Sequence, residues 1–296
     1  MQASPQPSGR RAAHARGAYG LRVEGLDDAD DLLLPVDGDR PTLTVRWIEE
    51  TRELEEGAGE DAESSTVSFG EDVALVRHGA LGTIEVRRTP AVATFRIRGA
   101  RDPQTLVHPY LGGAASIVSR WLGREAFHGG AFVHRAKAWI VLGSRTAGKS
   151  SLLAWLHAHG VAIVADDVVV VGEGVAHAAP RSLDLRRESA ERLSLGEPLG
   201  RVGARDRWRV RLGAVPLETT VGGFVFLSWD DDVRIREVRG APRLAQLMSA
   251  LTIPDRPADP GALLGLATLP CLAFGRRRDW DTLGDAGISL LGALDL

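Results

Sequence analysis

The sequence predicts an α/β fold built around a phosphate-binding loop and preceded by a strand-rich region. The stretch GSRTAGKSS at residues 143–151 fits the spacing G-x-x-x-x-G-K-[ST] of a loop that cradles phosphate groups. An apolar, strand-like run precedes this loop and a helical apolar pattern follows it. Short runs of alternating apolar and polar residues between 21 and 98, separated by Gly, Pro and Asp, are typical of β-hairpins.

The composition excludes several classes of protein. The chain has 296 residues, 44% of them hydrophobic, which is enough for one large or two modest domains with a buried core. A net charge of −3 argues against a nucleic-acid partner, and the absence of a long apolar run argues against a membrane partner. The single cysteine, Cys271, lies in an apolar run, where we expect a buried thiol and no internal disulfide.

The N-terminal part of the chain divides into a tail and a strand-rich region. Residues 1–18 carry positive charge without a following apolar segment, so we expect a disordered tail rather than a secretory signal. We also expect the protein to be cytoplasmic. Residues 19–103 contain the alternating runs. Between these runs, residues 49–63 hold eight acidic residues and one arginine, which favours a solvated connection over a partner-binding acidic patch.

Residues 104–296 are predicted to form one α/β domain. A helix is expected over 109–123, and then two strands with a tight turn at 135–137. A second helix follows the loop and ends at Gly160, and a strand then runs into a hairpin that turns at 172–174. Further strands and helices complete the pattern, with the motifs VGGFVFLSW, VRIREVRG, APRLAQLMSAL, ATLPCLAFG and TLGDAGISLLGALDL.

The glycine loop is predicted to bind ATP. Its glycines permit backbone geometries and close approaches that a Cβ atom would prevent, and the loop N–H groups and the following helix N-terminus attract phosphate oxygens. Lys149 would reach the β- and γ-phosphates, and the Ser150 hydroxyl would bind Mg²⁺. Only two of the 36 basic residues are lysines, yet one of them stands where this loop requires it. The predicted nucleotide-binding residues are Gly143, Ser144, Arg145, Thr146, Ala147, Gly148, Lys149, Ser150 and Ser151.

Two consecutive carboxylates follow the next predicted strand. Asp166 and Asp167 end the run VAIVA, 17 and 18 residues after Lys149. A strand adjacent to the loop's own strand would bring them beside the phosphates, where one can hold Mg²⁺ through water and the other can take a proton from an attacking hydroxyl. An acid this close to the loop is typical of kinases that phosphorylate a small molecule or a side chain. The alternative is a pair that only caps the strand.

The motifs HGGAFV, GSRTAGKS and HGVAIVADDVVVV together resemble the catalytic domain of HPr kinase/phosphorylase, over about residues 104–280. They resemble still more closely the HPr-kinase-related proteins found near peptide natural-product genes. The resemblance implies a P-loop kinase domain of the HPr kinase/PEP carboxykinase-like type. It places Asp167 in the position of the proton-accepting base and Asp166 beside the metal. It also assigns His128, 21 residues before Lys149, to orienting Asp167.

Other parts of the resemblance are looser. Asp184, in SLDLRR, could take the place of a metal-binding glutamate of that family, and an exposed carboxylate at a strand end is the equal alternative. The family segment linked to dephosphorylation has no counterpart here, so phosphorylase activity is not predicted. Related enzymes assemble as hexamers, so the resemblance allows a homo-oligomer.

The predicted function is an ATP- and Mg²⁺-dependent kinase. It would transfer the γ-phosphate to a hydroxyl, either a serine of a protein or peptide or a small molecule. One alternative is a small-molecule kinase of the shikimate or gluconate type. Another, from a different class, is a nucleotide-binding regulatory module that transfers no phosphate.

Two arginine-rich segments allow two interpretations. In GARDRWRVRLG, residues 203–213, four arginines alternate along a predicted strand and would share one face. They could clamp a phosphate or an acidic acceptor, but in a chain this rich in arginine a solvated strand face is favoured. The same interpretation applies to GRRRDWD, residues 275–281.

Overall fold

Two large β-sheets and one small sheet form the frame of the protein, and helices pack against them. The structure is a computed structural model, and it describes residues 15–48, 65–98, 102–203, 205–254 and 257–295. The predicted acidic connection at 49–63 and most of the predicted tail lie outside these residues. No helix in the described ranges is long and apolar enough to cross a lipid bilayer.

The first large sheet contains the predicted N-terminal strands. Its spatial order is β3-β1-β2-β4-β8-β7-β6-β5, with the pairs β2–β4 and β4–β8 parallel and the other pairs antiparallel. Along β8 every second residue is buried, as the alternating sequence pattern predicts. The strands are β1 Arg16–Ala18, β2 Leu21–Glu24, β3 Leu34–Pro35, β4 Thr42–Trp47, β5 Ser65–Phe69, β6 Val73–His78, β7 Gly82–Arg87 and β8 Val92–Ile97.

The predicted boundary of the N-terminal tail at residue 18 is wrong. Strand β1 pairs with both β2 and β3, and Ala18 is only 3% exposed. The three-residue strand is too short to show an alternating pattern, and it lies in a segment rich in Arg and Ala. Its pairing partners, rather than its own sequence, make it a strand.

The rest of the chain forms the second large sheet, the small sheet and most of the helices. The strands are β9 Glu125–His134, β10 Lys137–Leu142, β11 Ile163–Ala165, β12 Val168–Gly172, β13 Val175–His177, β14 Ser182–Leu185, β15 Glu197–Val202, β16 Arg205–Arg211, β17 Glu218–Trp229, β18 Arg234–Glu237 and β19 Cys271–Arg276. The helices are α1 Pro103–Thr105, α2 Leu111–Trp121, α3 Lys149–Ala158, α4 Arg187–Leu193, α5 Ala241–Ser249, α6 Pro260–Leu266 and α7 Leu283–Ala293. They confirm the helices and strands predicted after residue 104.

Five strands of the second sheet pair in a closed ring, β9-β10-β17-β13-β12. The long strand β9 makes this possible, because its first half pairs with β12 and its second half with β10. Gly129 and Gly130 lie where the partner changes. A Cβ atom on Gly129 would come within 2.5 Å of the Val141 carbonyl oxygen, and one on Gly130 within 2.2 Å of Leu153 on α3. The two glycines therefore permit the close contact of β9 with β10 and α3.

The strand that carries the two aspartates is not adjacent to β10, contrary to the prediction. Strand β11 pairs with β9, and β9 lies between β11 and β10 because β9 and β10 form a tight hairpin. The hairpin turns at Arg135 and Ala136, which both have positive φ. Since β11 and β10 are each antiparallel to β9, they run in the same direction. Their carboxyl ends therefore still lie at the same edge of the sheet.

Helix α2 connects the two large sheets. It packs against β6 and β7 on one side and against β9 and β12 on the other, and nearly all of its side chains are buried. One continuous set of buried apolar side chains extends through both sheets, from Ala18 and Phe95 to Phe127 and Phe224. The two regions predicted from the sequence thus share a hydrophobic core.

Candidate functional site

The edge of the second sheet at which β10 ends opens into a cleft of about 660 Å³. The strands β11, β10, β17 and β19 all end at this edge, which is where ligands bind in open α/β sheets. The glycine loop follows β10 and forms the floor of the cleft. The predicted residues Arg145, Thr146, Gly148, Lys149, Ser150 and Ser151 all line it.

The glycine loop adopts a strained backbone. Thr146 has φ +67° and Gly148 has φ +86°, and helix α3 begins directly after Gly148. A Cβ atom on Gly148 would lie 2.3 Å from Arg276 Nη2 and 2.9 Å from the Trp229 ring. Glycine is therefore required here both by its conformation and by its neighbours.

Lys149 folds back onto the loop. Its ammonium donates hydrogen bonds to the carbonyl oxygens of Gly143, at 2.9 Å, and Ser144, at 3.1 Å. Burial lowers the pKa of the Lys149 ammonium, and the nearby Asp167 and Asp166 partly oppose this effect. The lysine is thus already held over the loop, and its ammonium lies near the two carboxylates.

Asp166 lies against the start of α3. The Ser150 hydroxyl donates to Asp166 Oδ1 at 3.1 Å, and Asp166 is only 4% exposed. Burial raises the pKa of the Asp166 carboxyl to about 6, while His108 and the Ser150 hydrogen bond pull it in the opposite direction. Two hard oxygen donors therefore stand side by side at the end of the glycine loop.

Asp167 faces a different neighbour. Its Oδ1 lies 3.4 Å from His128 Nδ1, and both side chains are partly exposed to the cleft. Partial burial raises the pKa of Asp167, but the positive charges around it, above all His128 and His108, outweigh this and hold the pKa below its usual value. Burial lowers the pKa of His128, which favours the neutral imidazole near pH 7.

The backbone explains why consecutive carboxylates point to different places. Asp167 has φ +68°, and the N–H of Val168 donates to the carbonyl oxygen of Asp166 at 2.9 Å, which closes a γ-turn around Asp167. The Asp167 carbonyl in turn accepts from the N–H of Gly129 at 3.1 Å. This turn separates the two side chains, and nothing in the sequence indicates it.

Asp184 has a different environment from the one predicted for a metal ligand. Arg209 donates from Nε to Asp184 Oδ1 at 2.9 Å and from Nη2 to Oδ2 at 3.0 Å, and the two side chains are 2% and 0% exposed. Both oxygens thus already accept hydrogen bonds from a cation. The metal role expected for Asp184 is corrected to that of a buried ion-pair partner, because β14 and β16 pair with Asp184 opposite Arg209.

The alternating arginines of β16 do not share one environment. Arg209 is buried against Asp184, and Arg211 pairs with Asp31, which lies between β2 and β3. Arg205 and Arg207 line the cleft, which the favoured interpretation of a solvated face did not predict. The first large sheet also contributes to the cleft wall through Ser65 and His78, and the turn between β6 and β7 contributes Leu81.

The opposite wall comes from the ends of β17 and β19. Trp229, Arg276, Arg278, Asp279 and Trp280 line the cleft there. Trp229 Nε1 donates to the carbonyl oxygen of Thr146 at 3.2 Å, which attaches this wall to the glycine loop. The prediction for the segment 275–281 was a solvated face. The available signal in the sequence was that these two predicted strands, β17 and β19, end in or are followed by tryptophan and arginine residues.

Within the described residues, no group of three or more His, Cys, Asp or Glu side chains is arranged to hold a metal ion. A metal at this site would therefore need ligands from a bound phosphate or from water besides Ser150 and Asp166. This is the usual arrangement for Mg²⁺, which is commonly bound by one or two carboxylates together with substrate phosphates.

Comparisons with known proteins give little further information. No family model matches the chain, and no curated protein matches it. Among solved structures, the HPr(Ser) kinase/phosphatase from Coxiella burnetii is 13% identical, with 58% of this chain and 97% of that chain covered. The TM-score of this match is 0.30, a value too low to establish a common fold.

Proposed function

We propose that this protein is an ATP- and Mg²⁺-dependent kinase that transfers the γ-phosphate to a hydroxyl group. The observation that carries this proposal is the pairing of Ser150 with Asp166 and of His128 with Asp167, directly beside a glycine loop. One carboxylate is buried against the loop helix and the other faces the open cleft. A kinase needs these two positions, one for the metal and one for the proton.

The donor set fits Mg²⁺. Ser150 and Asp166 offer hard oxygen ligands, and among the described residues no lysine or arginine forms an ion pair with Asp166. Burial without such a cation raises the pKa of Asp166 to about 6, so a divalent cation would supply the missing positive charge. When bound, Mg²⁺ would neutralise charge on the β- and γ-phosphates.

The chain's own groups would perform the remaining steps. The loop N–H groups and the N-terminus of α3 would bind the phosphate oxygens. Lys149 would exchange its hydrogen bonds to the Gly143 and Ser144 carbonyls for bonds to phosphate. Asp167, whose pKa lies below its usual value, would be ionised at neutral pH and would accept the proton of the acceptor hydroxyl while His128 orients its carboxylate.

The acceptor is a hydroxyl of a serine side chain or of a small molecule. Asp167 and Arg207 both line the cleft, and its volume of about 660 Å³ would accommodate either acceptor. We place the protein in the cytoplasm as part of this proposal, and a homo-oligomer is compatible with it.

Paired asparagine variants test the proposal. The purified protein is incubated with [γ-³²P]ATP and Mg²⁺, with a serine-peptide array and a panel of hydroxylated metabolites as acceptors. Asp167→Asn keeps the side-chain shape but cannot accept a proton, so transfer should fall by roughly 10² to 10⁴ while ATP affinity is retained. Asp166→Asn should instead raise the Mg²⁺ concentration that half-saturates the enzyme, because an amide is a weak ligand for a hard cation.

Each contrary outcome has a definite meaning. If Asp167→Asn transfers phosphate at the normal rate and Asp166→Asn is inactive, the two roles are reversed. Normal transfer by both variants would exclude this site as the catalytic one. ATP binding with neither hydrolysis nor transfer by the wild-type protein would favour the regulatory module.

A further inference from the structure

We propose that Trp229 and Arg278 form a binding site for the base of a purine nucleotide, at the end of the cleft opposite the two aspartates. This inference rests on the proposed nucleotide binding and assigns the part of the cleft that phosphate transfer does not use. It concerns the wall formed by the ends of β17 and β19, whose arginine-rich segment was predicted to form a solvated face.

The order of the strands fixes the direction in which a nucleotide would lie. Across the site edge, β11 and β9 lie on one side of β10, and β17 and β19 lie on the other. The carboxylates and His128 belong to the first side. A triphosphate bound with its terminal phosphate beside Asp166 and Asp167 therefore has its nucleoside on the side of β17 and β19.

An aromatic ring is fixed at this position. Trp229, the last residue of β17, is 36% exposed, and its indole N–H is held by the carbonyl oxygen of Thr146 in the glycine loop. The ring therefore keeps a defined distance from the loop. Bases stack on aromatic side chains and on arginine planes irrespective of sequence, which makes such a ring a natural platform for a nucleobase.

Arg276 holds the indole in place from the sheet side. Its Cζ lies 4.4 Å from the Trp229 ring centroid, and its Nη2 donates to the Gly148 carbonyl at 3.4 Å. Arg276 is 3% exposed, and among the described residues no carboxylate offsets the effect of burial on its charge. Burial lowers its pKa to about 10. The buried guanidinium contacts both the indole and the loop, and it thus fixes the orientation of the ring beside the phosphate site.

Arg278 completes the site on the solvent side. It is exposed, and its Cζ lies 5.9 Å from the same ring centroid, so it can move over a bound base. The neighbouring Asp279 also lines the cleft and offers a carboxylate to an exocyclic amino group. A bicyclic purine covers more of the indole than a pyrimidine does, so the stacking surface favours purines.

The test compares ligands with and without a base. Isothermal titration calorimetry in the presence of Mg²⁺ measures the affinities of ADP, CDP and pyrophosphate for the full chain. The wild-type protein should bind ADP about tenfold more tightly than pyrophosphate, which corresponds to one stacked base, and more tightly than CDP. In Trp229→Leu the affinity for ADP should fall to that for pyrophosphate, while the affinity for pyrophosphate itself should stay unchanged.

Two further variants separate stacking from support of the loop. Trp229→Phe removes the hydrogen bond to Thr146 but keeps an aromatic ring, and it should retain most of the preference for ADP. Arg278→Gln should reduce the preference a few-fold. Arg277→Gln is the matched control, because Arg277 is exposed and bound to Asp232, and it should have no effect.

The results that would overturn the inference differ from those that would overturn the proposed function. If Trp229→Leu weakens ADP and pyrophosphate equally, Trp229 supports the loop and binds no base. If the wild-type protein binds pyrophosphate but prefers neither ADP nor CDP to it, the base site alone is refuted. If it binds none of the three ligands, the proposed nucleotide binding fails, and the base site fails with it.

Discussion

The guanidinium of Arg209 and the carboxylate of Asp184 form a doubly hydrogen-bonded ion pair that is almost completely removed from solvent. The same guanidinium also donates to the carbonyl oxygens of Gln104, at 3.0 Å, and His108, at 3.2 Å. This pair therefore connects the small sheet, formed by β14, β16 and β15, to the segment that enters α2. His108 and Asp184 both line the cleft, so the pair also fixes part of its wall.

Loss of one partner of this pair should be strongly destabilising. Arg209→Met leaves the Asp184 carboxylate buried without its cation, and the free energy of unfolding should fall by about 3–5 kcal/mol. Urea denaturation measures the change. Arg211→Met is the matched control, because its pair with Asp31 is about half exposed on both sides and should contribute less than about 1 kcal/mol. Equal losses for the two variants would contradict the role assigned to Arg209.

Replacement of Lys149 should abolish transfer and leave the fold intact. Lys149→Ala removes the cation at the phosphates, so the rate should fall by roughly 10² or more. Its thermal unfolding should stay close to that of the wild type, since the hydrogen bonds of the lysine go to two carbonyls of the loop itself. Lys137→Ala, at the exposed start of β10, removes the chain's other lysine and should transfer phosphate normally. Undiminished transfer by Lys149→Ala would show that another loop binds the phosphates.

Nucleotide affinity should depend on Mg²⁺ through Ser150. Titration of the wild-type protein with ADP should show weaker binding in the presence of a chelator. In Ser150→Ala the Mg²⁺-dependent gain should shrink by roughly ten- to a hundredfold, since even an outer-shell partner has that effect at other metal sites. Ser249→Ala, at the exposed end of α5, serves as the control. Equal ADP affinity with and without chelator would remove the metal from the proposal.

Acid should destabilise the protein through His177. Burial, and then Arg124, lowers the pKa of His177 to about 4, while in the unfolded chain it is near 6.5. The unfolded state therefore gains a proton first, and the contribution of His177 is complete above pH 6.5 and is lost as the pH falls towards 4. Between pH 6.5 and 5 this amounts to about 2 kcal/mol.

The pH effect of His177 is best measured as a difference in unfolding free energy between two proteins. Asp166, with a pKa raised to about 6, has the opposite effect, because its contribution to stability is lost as the pH rises. Comparing the unfolding free energies of the wild type and His177→Gln at pH 7.5 and pH 5 cancels this contribution. The variant should lose less stability on acidification. An identical loss in both proteins would mean that His177 is protonated in the folded state.

Local patterns in the sequence predicted the elements well, and the reason is physical. Alternation and helical periodicity report which face of a segment is buried. The structure confirms six predicted strands of the first sheet, β2 and β4 to β8, and the helices α2, α3, α5 and α7. The glycine loop lies between β10 and α3 as predicted. The hairpin between β12 and β13 turns at Glu173 and Gly174, which have positive φ.

Relations between distant segments were beyond these patterns. The sequence does not show that β9 separates β10 from β11, because the pairing of strands depends on residues far apart along the chain. Nor does it tell which arginine of β16 meets Asp184 and which ones face the cleft. The difference between Asp166 and Asp167 arises from a single turn with positive φ at Asp167. That turn is visible only in three dimensions.

The core that runs from Phe95 to Phe224 also limits how this chain can change by recombination. A recombination event that exchanged the first 102 residues for a foreign segment would uncover the face of α2 that packs on β6 and β7, and would remove His78 from the cleft wall. The recipient would gain an aggregation-prone surface and lose part of its site in the same step. The N-terminal sheet and the phosphate loop should therefore descend together, as one unit of selection.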